Sequence, residues 1–221
     1  FMGNIDIKQI VFTKVNTAEF LDVGKFDLST LDNDFVVVKT EYSTISCGTE
    51  KANITGNKFV SGNTNSTGFP RCLGYSSAGT VVAVGSNVFS VKKGDKVVVF
   101  GGFHKNYNII SSKNVVKIPE GVEVQDAAIS YICSFSLGAI RKVRLKIGES
   151  CLIMGLGILG QLAVKLAKVN GAYPVIACDM NEDRKSIALR NGADYVYNPL
   201  DKDFDEKVKD ITNGGVNTAI E

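Results

Sequence analysis

The stretch Ser150-Cys-Leu-Ile-Met-Gly155-Leu-Gly157-Ile-Leu-Gly160 runs from a short apolar segment into three glycines, and it opens an alternation of strand and helix that decides the architecture. Ser150 to Met154 has the length and composition of a buried strand. Ile158 to Val169 has helical spacing, with Ile158, Leu159, Leu162, Ala163, Leu166 and Ala167 expected on its buried side. Val175-Ile-Ala-Cys178 reads as a second strand, and Glu182 to Arg190 as a second helix stopped by Gly192. Tyr195-Val-Tyr197 reads as a third strand, Asp203 to Ile211 as a third helix, and Val216 to Ile220 as the start of a fourth strand. Strands and helices alternating through short connections predict βαβ units and a parallel sheet.

Each glycine of the quoted stretch has a physical task. Gly155 permits a tight turn, Gly157 lets the backbone approach a pyrophosphate, and Gly160 lets the helix pack closely on the strand. Phosphates would rest on the free N–H groups at the helix start, around Ile158 and Leu159. Asp179 ends the next strand 19 residues beyond Gly160, near the spacing expected of a carboxylate that binds an adenosine ribose. A carboxylate accepts from a ribose 2'-hydroxyl and repels a 2'-phosphate, so NAD(H) is expected over NADP(H). Arg184, five residues on, is either an exposed helix residue or a phosphate ligand, which keeps NADP open.

Toward the N-terminus the character is different. Phe35-Val-Val-Val38, Gly79 to Gly85 and Lys96-Val-Val-Val-Phe100 are short β-type runs, with Ser86-Asn87 and Gly94-Asp95 as turn residues between the last two. A β-rich, partly barrel-like domain over residues 2–125 is expected, followed by a doubly wound domain over 126–221. Val124 to Val143 reads as one helix with Ala127, Ala128, Tyr131, Ile132 and Phe135 on its apolar face. The polar stretch from Asn53 to Gly68 reads as an exposed loop, and its two Asn-x-Thr patterns, at Asn53 and Asn65, as chance matches. Phe1, ahead of Met2, is taken as a cloning remnant and set aside.

The 221 residues are 44% hydrophobic and 22% charged, which excludes a disordered or fibrous chain. Lys and Arg number 25 against 23 Asp and Glu, and no basic block is dense enough for nucleic acid. No apolar run reaches the roughly 18–20 residues of a membrane span, and no signal peptide opens the chain, so a cytoplasmic location is the default expectation. Five cysteines without a C-x-x-C pair describe free thiols, with Cys72, Cys151 and Cys178 expected in the core. A single histidine, His104, limits metal chemistry to sites built on Cys or carboxylate.

Four stretches resemble the medium-chain dehydrogenase/reductase family, the zinc alcohol dehydrogenases and their relatives. Ile45-Ser-Cys-Gly-Thr-Glu50 is similar to the segment carrying the family's first zinc cysteine and a relay hydroxyl. Leu73-Gly-Tyr-Ser-Ser-Ala-Gly-Thr-Val81 resembles its Gly-His-Glu-x-x-Gly, Val91 to Val97 its Gly-Asp-x-Val turn, and Gly148 to Asp179 its cofactor half. The resemblance implies a GroES-like β-rich catalytic domain followed by a Rossmann domain. Two departures stand out: Tyr75 and Ser76 occupy the positions of the family's ligand histidine and its neighbouring glutamate. A phenol is a poor zinc ligand near neutrality, and Cys47 with Cys133 would leave a catalytic site one protein ligand short. No metal is therefore expected; were zinc present, Cys47 and Cys133 would be its ligands. Gly-Tyr-Ser with Cys-Gly-Thr-Glu resembles instead a zinc-independent branch that includes half of some bacterial bi-domain oxidoreductases, and Gly102 to Tyr107 parallels a His-containing strand there.

Without the metal, the oxygen of a carbonyl or alcohol must meet a hydrogen-bond donor or a proton source. Tyr75 is the first candidate and His104 the third, each weighed against a purely structural role, with Thr49 second as a relay hydroxyl; Lys51 is more distant. Glu50 is expected to orient neighbouring groups. The resemblance implies hydride transfer between NAD(H) and a secondary alcohol or carbonyl, with a sugar or polyol among the candidates, on a small-molecule substrate. A quinone or enone reductase and a non-catalytic dinucleotide-binding module are the alternatives. Complete members continue past the fourth Rossmann strand, where Glu221 falls, and the full-length form is expected as a homodimer or tetramer.

Overall fold

The structure, a computed structural model, describes residues 3–57 and 68–221. It divides into two compact units, Phe1–Tyr131 and Ile132–Glu221. The first opens with β1 (Asn4–Lys14) and β2 (Thr17–Asp27), an antiparallel hairpin turned at Asn16, whose φ of 56° suits asparagine. β3 (Phe35–Ser43) and α1 (Cys47–Ile54) follow, then β4 (Arg71–Cys72), β5 (Ser76–Val84), β6 (Lys96–Phe100), β7 (Tyr107–Ser111), β8 (Val115–Lys117) and α2 (Val124–Ala127). Two sheets result, in the orders β2-β1-β4 and β7-β3-β5-β6-β8, the second entirely antiparallel. The valine runs explain the second sheet. Val36, Val38, Val81, Val97, Val99 and Val115 interlock as one core, and β-branched side chains suit its pleated surface.

α3 (Ser130–Lys142) leads into the second unit, with β9 (Cys151–Met154), α4 (Ile158–Val169), β10 (Val175–Cys178), α5 (Glu182–Arg190), β11 (Tyr195–Tyr197), α6 (Phe204–Ile211) and β12 (Thr218–Ile220). The strands pair in parallel in the order β11-β10-β9-β12, the 3-2-1-4 start of a doubly wound sheet. Cys151 and Cys178 are fully buried, as expected, and burial pushes their thiols up to about 11 and about 12. Among the described residues no helix is long and apolar enough to cross a membrane.

Four local expectations are corrected. The helix expected over 124–143 is broken into α2 and α3, because hydroxyls take the carbonyls that would have continued it. Thr44 and Ser76 both donate to the Ala128 carbonyl, at 2.9 and 2.6 Å, and Ser130 donates to that of Ala127 at 2.7 Å. Phe135 is exposed, as are Ile158 and Leu159, while Val164 joins Ala163 and Ala167 in the core. Cys72 is exposed on the edge strand β4. Asn53 and Ile54 close α1 instead of opening a loop, and the Asn53 side chain is buried, donating to Thr49 O and accepting from Arg71. The rest of that polar stretch, including the Asn65 pattern, lies largely outside the described residues.

Candidate active site

In the second unit the glycine turn is built between β9 and α4. Gly155 leaves β9 at φ 83° and its N–H donates to Cys178 O at 2.8 Å. Gly157 caps α4 with no side-chain cap, leaving the first-turn N–H groups of Ile158 and Leu159 available to an anion. A Cβ at Gly160 would overlap the Gly155 carbonyl oxygen, so this helix turn seats on the loop only through glycine.

Asp179 follows β10 directly and turns back onto this loop. Its Oδ2 accepts from Leu156 N–H at 2.8 Å and lies 3.4 Å from Arg184 Nη1, while Oδ1 accepts from Asn181 N–H at 2.9 Å. Burial pushes its carboxyl pKa up, but the Asn181 and Leu156 N–H groups and the Arg184 guanidinium outweigh that and hold it below the usual 3.8. Asn181 caps α5 by accepting from Arg184 N–H, which fixes where the Arg184 side chain starts. Gly155, Gly157, Ile158, Leu159, Gly160, Asp179 and Arg184 are therefore brought together, and the cradle fits a dinucleotide: open N–H donors at one end, an acceptor carboxylate at the other.

In the first unit a buried polar cluster ties together the segments that carry the other candidates. His104 is 5% exposed. Its Nδ1 lies 2.8 Å from Ser43 Oγ, and its Nε2 lies 3.0 Å from Glu50 Oε1. Glu50 Oε1 also accepts from Ser46 N–H at 3.1 Å, so one carboxylate secures the imidazole and the start of α1. The His104 backbone donates to Leu73 O and accepts from Ile10 N–H. Gly74, at φ 107°, lies flat against it, and a Cβ there would come within 2.5 Å of His104 N.

Thr49 sits in the first turn of α1, and its hydroxyl accepts from Ser46 Oγ at 3.3 Å. Tyr75 is half-buried, edge-on to Tyr131 with ring centroids 5.8 Å apart, and its carbonyl accepts from Gly101 N–H. Lys51 is exposed. Ser43 and the hub position of Glu50 escape the sequence, since their partner lies 61 and 54 residues away.

The zinc expected of the wider family does not fit these donors. Ser76, in a ligand neighbour's place, spends its buried hydroxyl on Ala128 O. Both His104 nitrogens are engaged, and Cys47 is exposed at the start of α1. Cys133 belongs to α3, where burial pushes its thiol up. Among the described residues no three His, Cys, Asp or Glu side chains are grouped to hold a metal ion.

The Alcohol dehydrogenase GroES-like domain family matches residues 32–120, and the Zinc-binding dehydrogenase family matches residues 159–221. The chain belongs to the zinc-type, alcohol dehydrogenase-like medium-chain dehydrogenase/reductases. Within that family it is 32% identical over 182 residues to an L-threonine 3-dehydrogenase of Pyrococcus furiosus, covering 69% of this chain and 52% of that protein. It is 31% identical over 152 residues to a D-guloside 3-dehydrogenase of Escherichia coli K12, covering 67% and 43%. The chain thus spans about half the length of these relatives. A structure described as a short chain alcohol dehydrogenase from Escherichia coli CFT073, complexed with NADH, superposes with a TM-score of 0.77 at 23% identity, covering 92% of this chain and 66% of that one. This likeness shows the fold, a GroES-like domain followed by a Rossmann sheet.

Proposed function

We propose that the intact protein is an NAD(H)-dependent oxidoreductase that interconverts a secondary alcohol, of sugar or polyol type, and its carbonyl without a catalytic zinc. The observation that carries the reading is Asp179, ionised and oriented at the end of the glycine loop by Leu156 and Asn181. Support for the substrate class comes from the relatives, whose names place oxidation at position 3 of threonine and of a guloside. Gly155 to Gly160 would hold the pyrophosphate and Asp179 the adenosine ribose, and the bound nicotinamide would supply or accept hydride.

The chain's own contribution is the proton. Hydride addition to a carbonyl carbon leaves an alkoxide that must be protonated, and in this reading the Tyr75 hydroxyl donates that proton. Thr49, bonded to Ser46, relays protons toward it, and the Glu50–His104–Ser43 cluster holds both segments in place. Tyr75→Phe is expected to lower kcat roughly thirtyfold with KM nearly unchanged, a loss of about 2 kcal/mol of transition-state stabilisation. An unchanged kcat removes Tyr75 from the mechanism.

Cofactor choice follows from charge. Since Asp179 titrates below 3.8, its carboxylate is present at neutral pH and is lost only as pH falls through that lowered value. The intact enzyme should show a lower KM for NAD than for NADP, and Asp179→Gly should bring the two together. A native preference for NADP would assign the nucleotide contact to Arg184 instead.

A further inference from the structure

We infer that Gln161 is a positioning residue for cofactor recognition, locking the phosphate loop to the carboxylate that reads the ribose. Gln161 lies in the first turn of α4, one residue past the glycine fingerprint. Its carboxamide nitrogen donates to Arg184 O at 2.8 Å and to Leu156 O at 3.4 Å, and its carboxamide oxygen accepts from Asn191 Nδ2 at 3.0 Å. One side chain therefore joins the glycine loop to both ends of α5, since Arg184 lies in the first turn of that helix and Asn191 caps its end.

The consequence falls on Leu156, which is 1% exposed. Its peptide N–H points to Asp179 Oδ2 while the carbonyl of the same residue is held by Gln161. In this assignment Gln161 acts through Leu156 and α5 without a nucleotide contact of its own. It sets the orientation of the Leu156 segment and, through it, where the Asp179 oxygens stand. A carboxylate held rigidly discriminates a 2'-hydroxyl from a 2'-phosphate better than one free to swing aside, because it can neither align poorly with the hydroxyl nor retreat from the phosphate. Gln161 thus acts on selectivity as well as affinity.

This inference rests on the reading that a dinucleotide occupies the glycine loop. The test titrates the intact protein with NADH and NADPH, followed by nucleotide fluorescence, for the unaltered chain, Gln161→Glu and Gln161→Met. Glutamate keeps the shape and the Asn191 acceptor but turns the two donated bonds into a carboxylate facing carbonyls; methionine keeps the volume and removes all three. Both variants are expected to bind NADH about tenfold more weakly and NADPH with a smaller loss, so that the ratio of the two affinities shrinks severalfold. A ratio that stays at the unaltered protein's value, whatever the separate affinities do, overturns the assignment as a mere packing role would. Should either variant fail to fold, Asn191→Ala, which leaves Gln161 in place without the bond that orients it, must shift the ratio in the same direction, and no shift overturns the proposal. An unaltered protein that binds neither nucleotide overturns the cofactor reading and this inference with it, whereas binding with an immovable ratio overturns this inference alone.

Discussion

Gly160→Val is expected to weaken NADH binding by the intact protein at least a hundredfold. Even a Cβ at this position overlaps the Gly155 carbonyl oxygen, a backbone atom that can make room only if the loop or the helix start shifts. The start of α4 and the loop must therefore move apart, and the N–H groups that would meet a pyrophosphate lose their common focus. A hundredfold loss corresponds to about 2.7 kcal/mol, within the usual range for overpacking a tight contact. Gly157→Val separates binding from folding. Nothing lies within 4 Å of a Cβ at Gly157, so the unliganded fold accepts the side chain while the approach of a pyrophosphate is blocked. NADH titration beside thermal unfolding should show Gly160→Val impaired in both and Gly157→Val in binding alone. NADH affinity within a few-fold of the unaltered protein for both variants would remove the glycine loop from cofactor binding.

His104→Leu should destabilise the chain by about 3 kcal/mol, because it leaves two polar groups, the buried Glu50 carboxyl and the Ser43 hydroxyl, without their hydrogen-bond partner. The Glu50 side chain is only 11% exposed, and without the imidazole it keeps just the Ser46 N–H. Ser43 loses its partner as well. Glu50→Gln retains an acceptor oxygen for both His104 and Ser46, so its cost should be nearer 1 kcal/mol. The double replacement His104→Leu with Glu50→Leu, which removes the stranded Glu50 carboxyl as well, should recover much of the loss. Denaturant unfolding of the intact protein measures all three. If His104→Leu proves as stable as the unaltered chain, the cluster does not hold the site together.

How much of the fold and the site was legible in the chain depends on how local its causes are. The bounds of α4, β10, α5 and β11 arise from glycine stops and apolar spacing within a few residues of each element, and the sequence reading places all four where the structure has them. The break between α2 and α3 is invisible by comparison, because the hydroxyls that end α2 come from Thr44 and Ser76, 84 and 52 positions from the carbonyl they capture. Cys72 has core-like neighbours in Phe69 and Leu73, but its exposure is decided by the place of β4 at a sheet edge, which no local pattern encodes. The site divides the same way. Asp179 and the glycines are a spacing and can be read, whereas the partners of His104 and Gln161 are contacts between distant segments. The resemblance sets Tyr75 and Ser76 against a ligand histidine and its neighbouring glutamate, but nothing local in the sequence indicates that Glu50 and His104 are bonded to each other.

In the proposed function, turnover is NAD-linked and needs no metal. Its most direct measurement is NADH-dependent reduction of a panel of ketoses and related carbonyl compounds by the intact enzyme, before and after exhaustive chelation, with zinc then restored. Turnover that survives chelation and gains nothing from zinc is the expected result. Turnover abolished by chelation and restored by one equivalent of zinc would contradict it.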